Sequence, residues 1–446
     1  MRKISIVLLL LLSCSFIQTS FGQTKIAPLN IKQRTLSNGL KIVSLQDNSS
    51  PTVAIHVWYN VGSKDDPNGR SGFAHLFEHL MFKSSKKLKN EQFDRLTEDV
   101  GGFNNASTYD DFTNYYEVVP SNYLETLLWA EADRMVNLNV DDANFISERS
   151  VVKEEFRQRI LANPYGMLNG QYLEKLSFTT HPYQRPGIGN LNELDAAKLS
   201  DAREFYKTFY RPDNAVLIVV GDFQAAQFEA WTDKYFGVIE KRNGAIPRVT
   251  AIEPERTSEK RFIETAPNVP FPAVAITYLA PPSKSADVAA LQIAETILSG
   301  GESSRLYQEL VYKQKIAQEA NFNADIRVDK GLLYFLAIAA AGKTPAELEK
   351  SMLAELGKIQ AAPVSAKELE KAKNQLITKK LRELETNDNK AIAIERAVAY
   401  QGDPNAVNSD IGKLQAVTAA DVQNVMKKYF TDTNRVVIYY SQGEGK

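Results

Sequence analysis

A chain of 446 residues, 43% of them hydrophobic, is long enough for two ordinary domains, each with its own core. Its 53 basic residues balance 54 acidic ones with no long run of either sign, which leaves no electrostatic footprint for nucleic acid or for an anionic membrane surface.

The chain opens with Met1-Arg2-Lys3, an apolar stretch from Ile4 to Leu12, and then Ser20-Phe21-Gly22, with small residues where a signal peptidase needs them. Residues 1–22 read as a secretory signal, and the mature protein is expected to be exported, periplasmic or extracellular. A lipoprotein signal ending at Cys14 is the less favoured alternative, because the stretch up to Gly22 would then serve no purpose. No later segment reaches the roughly 18 uninterrupted apolar residues of a transmembrane helix. Cys14 is the only cysteine, so the mature chain has no disulfide and no thiol chemistry, and any metal must be held by His, Asp or Glu.

Beyond the leader, strand patterns near 41–46, 53–60, 103–118 and 215–221 alternate with helical patterns near 72–86, 121–138, 141–162 and 199–210. The alternation then repeats at an offset near 220. Thr52-Val53-Ala54-Ile55-His56-Val57 lines up with Ala273-Val274-Ala275-Ile276-Thr277-Tyr278, and Asn214 to Val219 with Asn434 to Tyr439. Between the copies, residues 241–261 carry many charges with Pro247 and Pro254 and follow neither period, as a linker does. The expected architecture is α+β: two homologous domains, 27–240 and 262–446, each a mixed β-sheet with helices packed on one face.

The chemistry concentrates in Ser71-Gly72-Phe73-Ala74-His75-Leu76-Phe77-Glu78-His79-Leu80. At about 100° per residue, His75, Glu78 and His79 project from one side of a helix. Two imidazoles one turn apart can chelate one zinc ion, and the glutamate beside them can act as base on a metal-activated water without being a ligand. With only four histidines in the chain, the His-x-x-Glu-His pattern is hard to dismiss as chance decoration of a helix. Catalytic zinc usually has a third protein ligand. His56 lies in a strand of buried types and His181 in the loop Thr180-His181-Pro182-Tyr183, so both are read as structural. The better source is the helical segment Ser147-Glu148-Arg149-Ser150-Val151-Val152-Lys153-Glu154-Glu155. Glu148 and Glu155 are two turns apart on one face while Glu154 points away, so Glu155 is the expected ligand and Glu148 a carboxylate orienting a ligand histidine.

His75-Leu76-Phe77-Glu78-His79, followed 76 positions after His79 by Glu155, resembles the pitrilysin or insulinase family, which includes the mitochondrial processing peptidases. The likeness continues through Gly102-Phe103-Asn104-Asn105-Ala106-Ser107-Thr108 and His181-Pro182-Tyr183. The resemblance implies a zinc endopeptidase with one zinc per chain on His75, His79 and Glu155, and Glu78 as base. It also implies that a peptide or unfolded protein segment adds as a strand beside Asn105 and Ala106. Two such domains would form half of a clam-shell closed by a second pair.

One departure stands out. Active relatives usually carry an arginine and, seven residues later, a tyrosine in the second domain, which bind substrate and steady the oxyanion; here those places fall on Val311 and Gln318. The expectation is therefore a heterodimer whose homologous partner supplies the pair, with a homodimer as runner-up. A non-catalytic assembly or peptide-binding subunit of the same fold is the rival function.

Overall fold

The structure is a computed structural model that describes residues 27–443, so the expected leader, with Cys14, lies outside the described residues. Six strands build the first sheet: β1 (Lys32–Thr35), β2 (Lys41–Gln46), β3 (Thr52–Tyr59), β4 (Phe103–Thr108), β5 (Thr113–Pro120) and β6 (Ala215–Gly221). Five build the second: β7 (Lys260–Ala266), β8 (Ala273–Leu279), β9 (Ala317–Asp325), β10 (Leu332–Ala339) and β11 (Val436–Gln442).

The spatial orders are β1-β2-β6-β3-β5-β4 and β7-β11-β8-β10-β9, so the last five strands of the first sheet match the second strand for strand. The mixed character matches too. β2 runs parallel to β6 and β7 parallel to β11, and the remaining neighbours in these five-strand sets are antiparallel. A chain that repeats the unit in sequence repeats it in topology.

Alternation along the central strands explains how the halves join. In β3, Val53, Ile55, Val57 and Tyr59 face the helices of their own half, among them Phe73–Leu80 and Leu124–Asn137. Ala54 and Trp58 point to the opposite face, where the helix Asn387–Gln401 of the second half lays down Ala391 and Ile394. The second sheet returns the exchange: Ala273 and Ala275 of β8 pack against Leu168, Leu173 and Phe178, which belong to the first half. Each sheet thus carries its own helices on one face and a segment lent by the other half on the second. Burying both faces this way makes the interface a continuation of two cores.

Even the polar exceptions correspond. His56 and Thr277, aligned in the repeat, both sit on the exchanged face. His56 Nδ1 lies 2.9 Å from Glu395 of the lent helix, and the Thr277 hydroxyl lies 2.7 Å from that of Ser177. Both expected non-ligand histidines are therefore structural: His181 accepts from the Tyr183 amide at 3.2 Å and faces Asp329 at 3.3 Å.

The linker is irregular but tied down. Glu253, almost fully buried, accepts from the amides of Thr179, Thr180 and His181, and Arg256 donates to the carbonyls of Ser177, Thr277 and Asn434. Two boundaries differ from expectation. β7 begins at Lys260, inside the expected linker, and the helix expected over 72–86 ends at Leu80. The cause of the second lies in Ser84 and Ser85, whose backbone finds partners outside a helix: Asn90 accepts from the Ser84 amide, the Leu88 carbonyl accepts from the Ser85 amide, and Asn139 donates to the Ser85 carbonyl. No helix among the described residues is long and apolar enough to cross a membrane.

Candidate metal centre

The motif helix, Phe73–Leu80, is placed by its apolar side: Phe73, Ala74, Leu76, Phe77 and Leu80 are buried in the first core. That leaves His75, Glu78 and His79 half-buried on the remaining arc. Its start is unusual. Gly72 sits at φ 92°, and a Cβ there would come within 2.9 Å of both the Gly189 Cα and the Ile188 carbonyl oxygen, so only glycine fits. The cap comes from upstream: the buried carboxylate of Asp66 accepts from the amides of Gly72 at 2.7 Å and Ala74 at 2.8 Å.

The opposing helix, Asp142–Phe156, is capped by Asp141, whose side chain accepts from the Asn144 amide. Phe145, Val152 and Phe156 are buried, and this seating turns Glu148 and Glu155 toward the motif helix. Glu154 is exposed and paired with Arg157, as expected of the solvated carboxylate.

Glu155 Oε2 lies 3.6 Å from His75 Nε2 and 3.4 Å from His79 Nε2. Among the described residues, His75, His79 and Glu155 form a group whose ligand atoms lie within 4.8 Å of one another. Tetrahedral zinc with arms of about 2.1 Å sets its donors roughly 3.4 Å apart, so this donor set fits zinc in both chemistry and spacing. The other carboxylate oxygen, Oε1, is held by Arg159 at 2.7 Å, leaving Oε2 to face the rings.

Electrostatics favour a cation here. Burial, with His79 alongside, pulls His75 down to about 4, which keeps its imidazole neutral as a ligand must be. His79 is also pushed down by burial, but Glu148 and Glu155 prevail and hold it up at about 9, so the carboxylates favour positive charge at this ring. Burial raises the Glu78 carboxyl above its usual range, opposed by hydrogen bonds from the Thr108 hydroxyl and amide.

Glu148 Oε2 stands 3.7 Å from His79 Nδ1, beyond hydrogen-bond distance, while Lys83 at 2.8 Å and the Ser147 hydroxyl at 3.0 Å hold Oε1. At 3.7 Å Glu148 acts on the His79 ring through its charge, and removing a group that supports a ligand imidazole typically weakens metal binding 10–100-fold. Glu148→Gln is expected to weaken zinc affinity by about tenfold, read by competition with a chelating dye.

Asn105 and Ala106 lie on β4, the edge strand next to the motif helix, with Asn105 exposed and Ala106 buried. The Asn105 side chain accepts from the Ala106 amide at 2.8 Å, and Thr108 of the same strand reaches the Ala74 carbonyl at 3.5 Å. In the second half, Val311 packs against the core and Gln318 donates to the Ala339 carbonyl. Arg305, the nearby arginine, is engaged by both oxygens of Glu368 at 2.7 Å.

Lys83, Asp66, Thr108 and Arg159 were not singled out from sequence. Arg159 has a local signal, following Glu155 by four, whereas Lys83 meets Glu148 from a distant segment. Asp66 acts across the fold and leaves no local trace, and Thr108 is marked in sequence only as the end of the run from Gly102.

The profile of the insulinase family, peptidase family M16, matches residues 41–176, and that of the peptidase M16 inactive domain matches residues 196–376. The zinc protease PqqE of Helicobacter pylori is 30% identical over 408 residues, covering 91% of both chains. This chain belongs to the M16 peptidase family. A probable mitochondrial-processing peptidase subunit beta of Arabidopsis thaliana is 25% identical over 409 residues, 89% of this chain and 76% of that protein. The crystal structure of a protease from Helicobacter pylori superposes with a TM-score of 0.89 at 30% identity, over 92% of this chain and 99% of that one. The Helicobacter pylori protease thus shares this fold, and the relative PqqE carries a zinc-protease name.

Proposed function

We propose that the protein is an exported zinc metalloendopeptidase in which His75, His79 and Glu155 hold one zinc ion and Glu78 is the catalytic base. The observation that carries this reading is the convergence of two imidazoles and a carboxylate from two helices at the spacing zinc requires, with the Glu78 carboxylate on the same arc of the motif helix. A zinc ion held there supplies Lewis acidity, to a scissile carbonyl and to an attacking water.

The chain's own residues do the rest. Glu78, raised by burial and steadied by Thr108, accepts the proton of the attacking water and delivers it to the departing amine. The β4 edge, open beside the motif helix, receives the substrate backbone as an added strand near Asn105 and Ala106, which selects extended peptides or unfolded segments over folded proteins. Val311 and Gln318 cannot serve as cationic and phenolic oxyanion donors. We therefore infer a heterodimer whose homologous partner contributes them, a homodimer being the alternative. Export rests on the leader sequence.

Incubating the purified protein, alone and with a co-expressed partner, with an unstructured peptide tests the reading. Cleavage is expected to vanish on chelation and return with one equivalent of zinc; cleavage indifferent to chelation overturns it.

A further inference from the structure

The second half carries no part of the proposed metal centre, yet one of its side chains is built into the support of that centre. Arg327 lies in the loop between β9 and β10 and is almost entirely buried. Its guanidinium pairs with Asp325 at the end of β9 at 2.8 Å and with two carboxylates of the first half: Glu174 at 2.6 Å and Asp110 at 3.1 Å. It stacks on Tyr183, 4.8 Å from the ring centre. The same loop holds the neighbouring residue, since the Val328 amide donates to Asp111 at 3.0 Å. Asp111 in turn accepts from Tyr183 at 2.5 Å and Lys64 at 2.6 Å.

Asp110 and Asp111 form the turn joining β4 to β5, so the loop of the second half grips the tip of the hairpin whose edge strand lies beside the motif helix. Two short paths lead from this turn to the centre. Along β4, Thr108 is two residues from Asp110, and its hydroxyl reaches the Ala74 carbonyl of the motif helix at 3.5 Å, one turn before Glu78. Across the turn, the Asp110 carboxylate accepts from the Ser63 hydroxyl at 2.9 Å and its carbonyl from the Lys64 amide at 3.1 Å. The turn continuing from Ser63 presents Asp66, which caps the motif helix at Gly72 and Ala74.

We propose that Arg327 is a positioning residue of the reaction: the second half holds the β4–β5 turn through Arg327 and Asp110, and so holds Thr108 and Glu78 in register with the metal centre. The inference rests on the peptidase reading above. A rigid support of this kind matters because a misplacement of about 1 Å far from the reacting atoms can cost roughly a hundredfold in rate.

The test uses the full mature chain with its partner if one is needed. Arg327→Met is measured beside Arg327→Lys, Asp110→Asn and Glu174→Gln, at a temperature where each remains folded by circular dichroism. Readouts are kcat and KM for an unstructured peptide, zinc affinity, and hydrogen exchange of the amides from Asn105 to Thr113. Arg327→Met and Asp110→Asn are expected to lower kcat at least tenfold with KM changed less than threefold, and to speed exchange in the hairpin. Arg327→Lys should recover part of both effects, and Glu174→Gln, which leaves the Arg327 to Asp110 pair, should lose stability without the kcat loss. Unchanged hairpin exchange in both Arg327→Met and Asp110→Asn, or equal kcat losses in all four variants, overturns the proposal. A parent that binds no zinc and cleaves nothing refutes the peptidase reading instead, and hairpin exchange still decides whether Arg327 holds the turn.

Discussion

Glu78→Gln is expected to cut peptide turnover by roughly 10²–10⁴-fold, the range general-base catalysis commands, while zinc content stays at that of the parent. The two halves of this expectation come from separate observations. Glu78 is not one of the three residues whose donor atoms converge, so an isosteric amide leaves those donors in place. It does stand on the same arc of the motif helix, half-buried, with Thr108 bonded to its carboxylate, and an amide cannot take a proton from water. Metal analysis together with kcat on the same preparation checks both. Turnover within tenfold of the parent would remove Glu78 from the chemistry, and a peptide-binding subunit without turnover would be indifferent to the change.

The second large effect is on stability and lies between the halves. His56 is wholly buried on the exchanged face of β3, with Nδ1 2.9 Å from Glu395 and Nε2 3.3 Å from Asp388. Glu395 also accepts from the Asn114 amide nitrogen at 2.8 Å. Burial pushes the His56 imidazole down, but its bonds to Asp388 and Glu395 prevail and hold it up at about 9. A folded-state value above the ordinary 6.5 means that the charged ring stabilises the folded protein. That contribution, about 3 kcal/mol, is complete below pH 6.5 and fades as pH rises through 9. His56→Leu leaves Glu395 buried without its cation, which typically costs about 3–5 kcal/mol. Urea unfolding of parent and variant from pH 6 to pH 10 is expected to show a gap that narrows as pH rises. A gap independent of pH would mean that the pair is not ionic.

These two predictions draw on features of very different legibility. His75, Glu78 and His79 are readable because helical periodicity is local: side chains three and four residues apart meet whatever the rest of the chain does. Glu155 lies 76 residues after His79, and face geometry together with the family resemblance singled it out. The repeat was readable from strands of the same type in the same order, and the strand orders of the two sheets bear it out. Hidden from sequence was the exchange of segments between the halves, because the alternation in β3 says that both faces are buried without saying what buries them. His56 could be read as structural, but its partners, more than 300 positions away, could not. The same holds for Asp66, Thr108 and Arg327, whose roles are contacts between distant segments. A helical pattern continues through Phe82 and Lys83, yet the helix ends at Leu80, because Asn90 takes the Ser84 amide and Asn139 the Ser85 carbonyl from distant segments.

Crystals grown with zinc and measured on either side of the zinc absorption edge would test the central claim most directly. One anomalous peak per chain is predicted, between His75 Nε2, His79 Nε2 and Glu155 Oε2 and roughly 2.0–2.2 Å from each. A zinc-supplemented crystal with no peak there, or with its peak on other residues, would contradict the account.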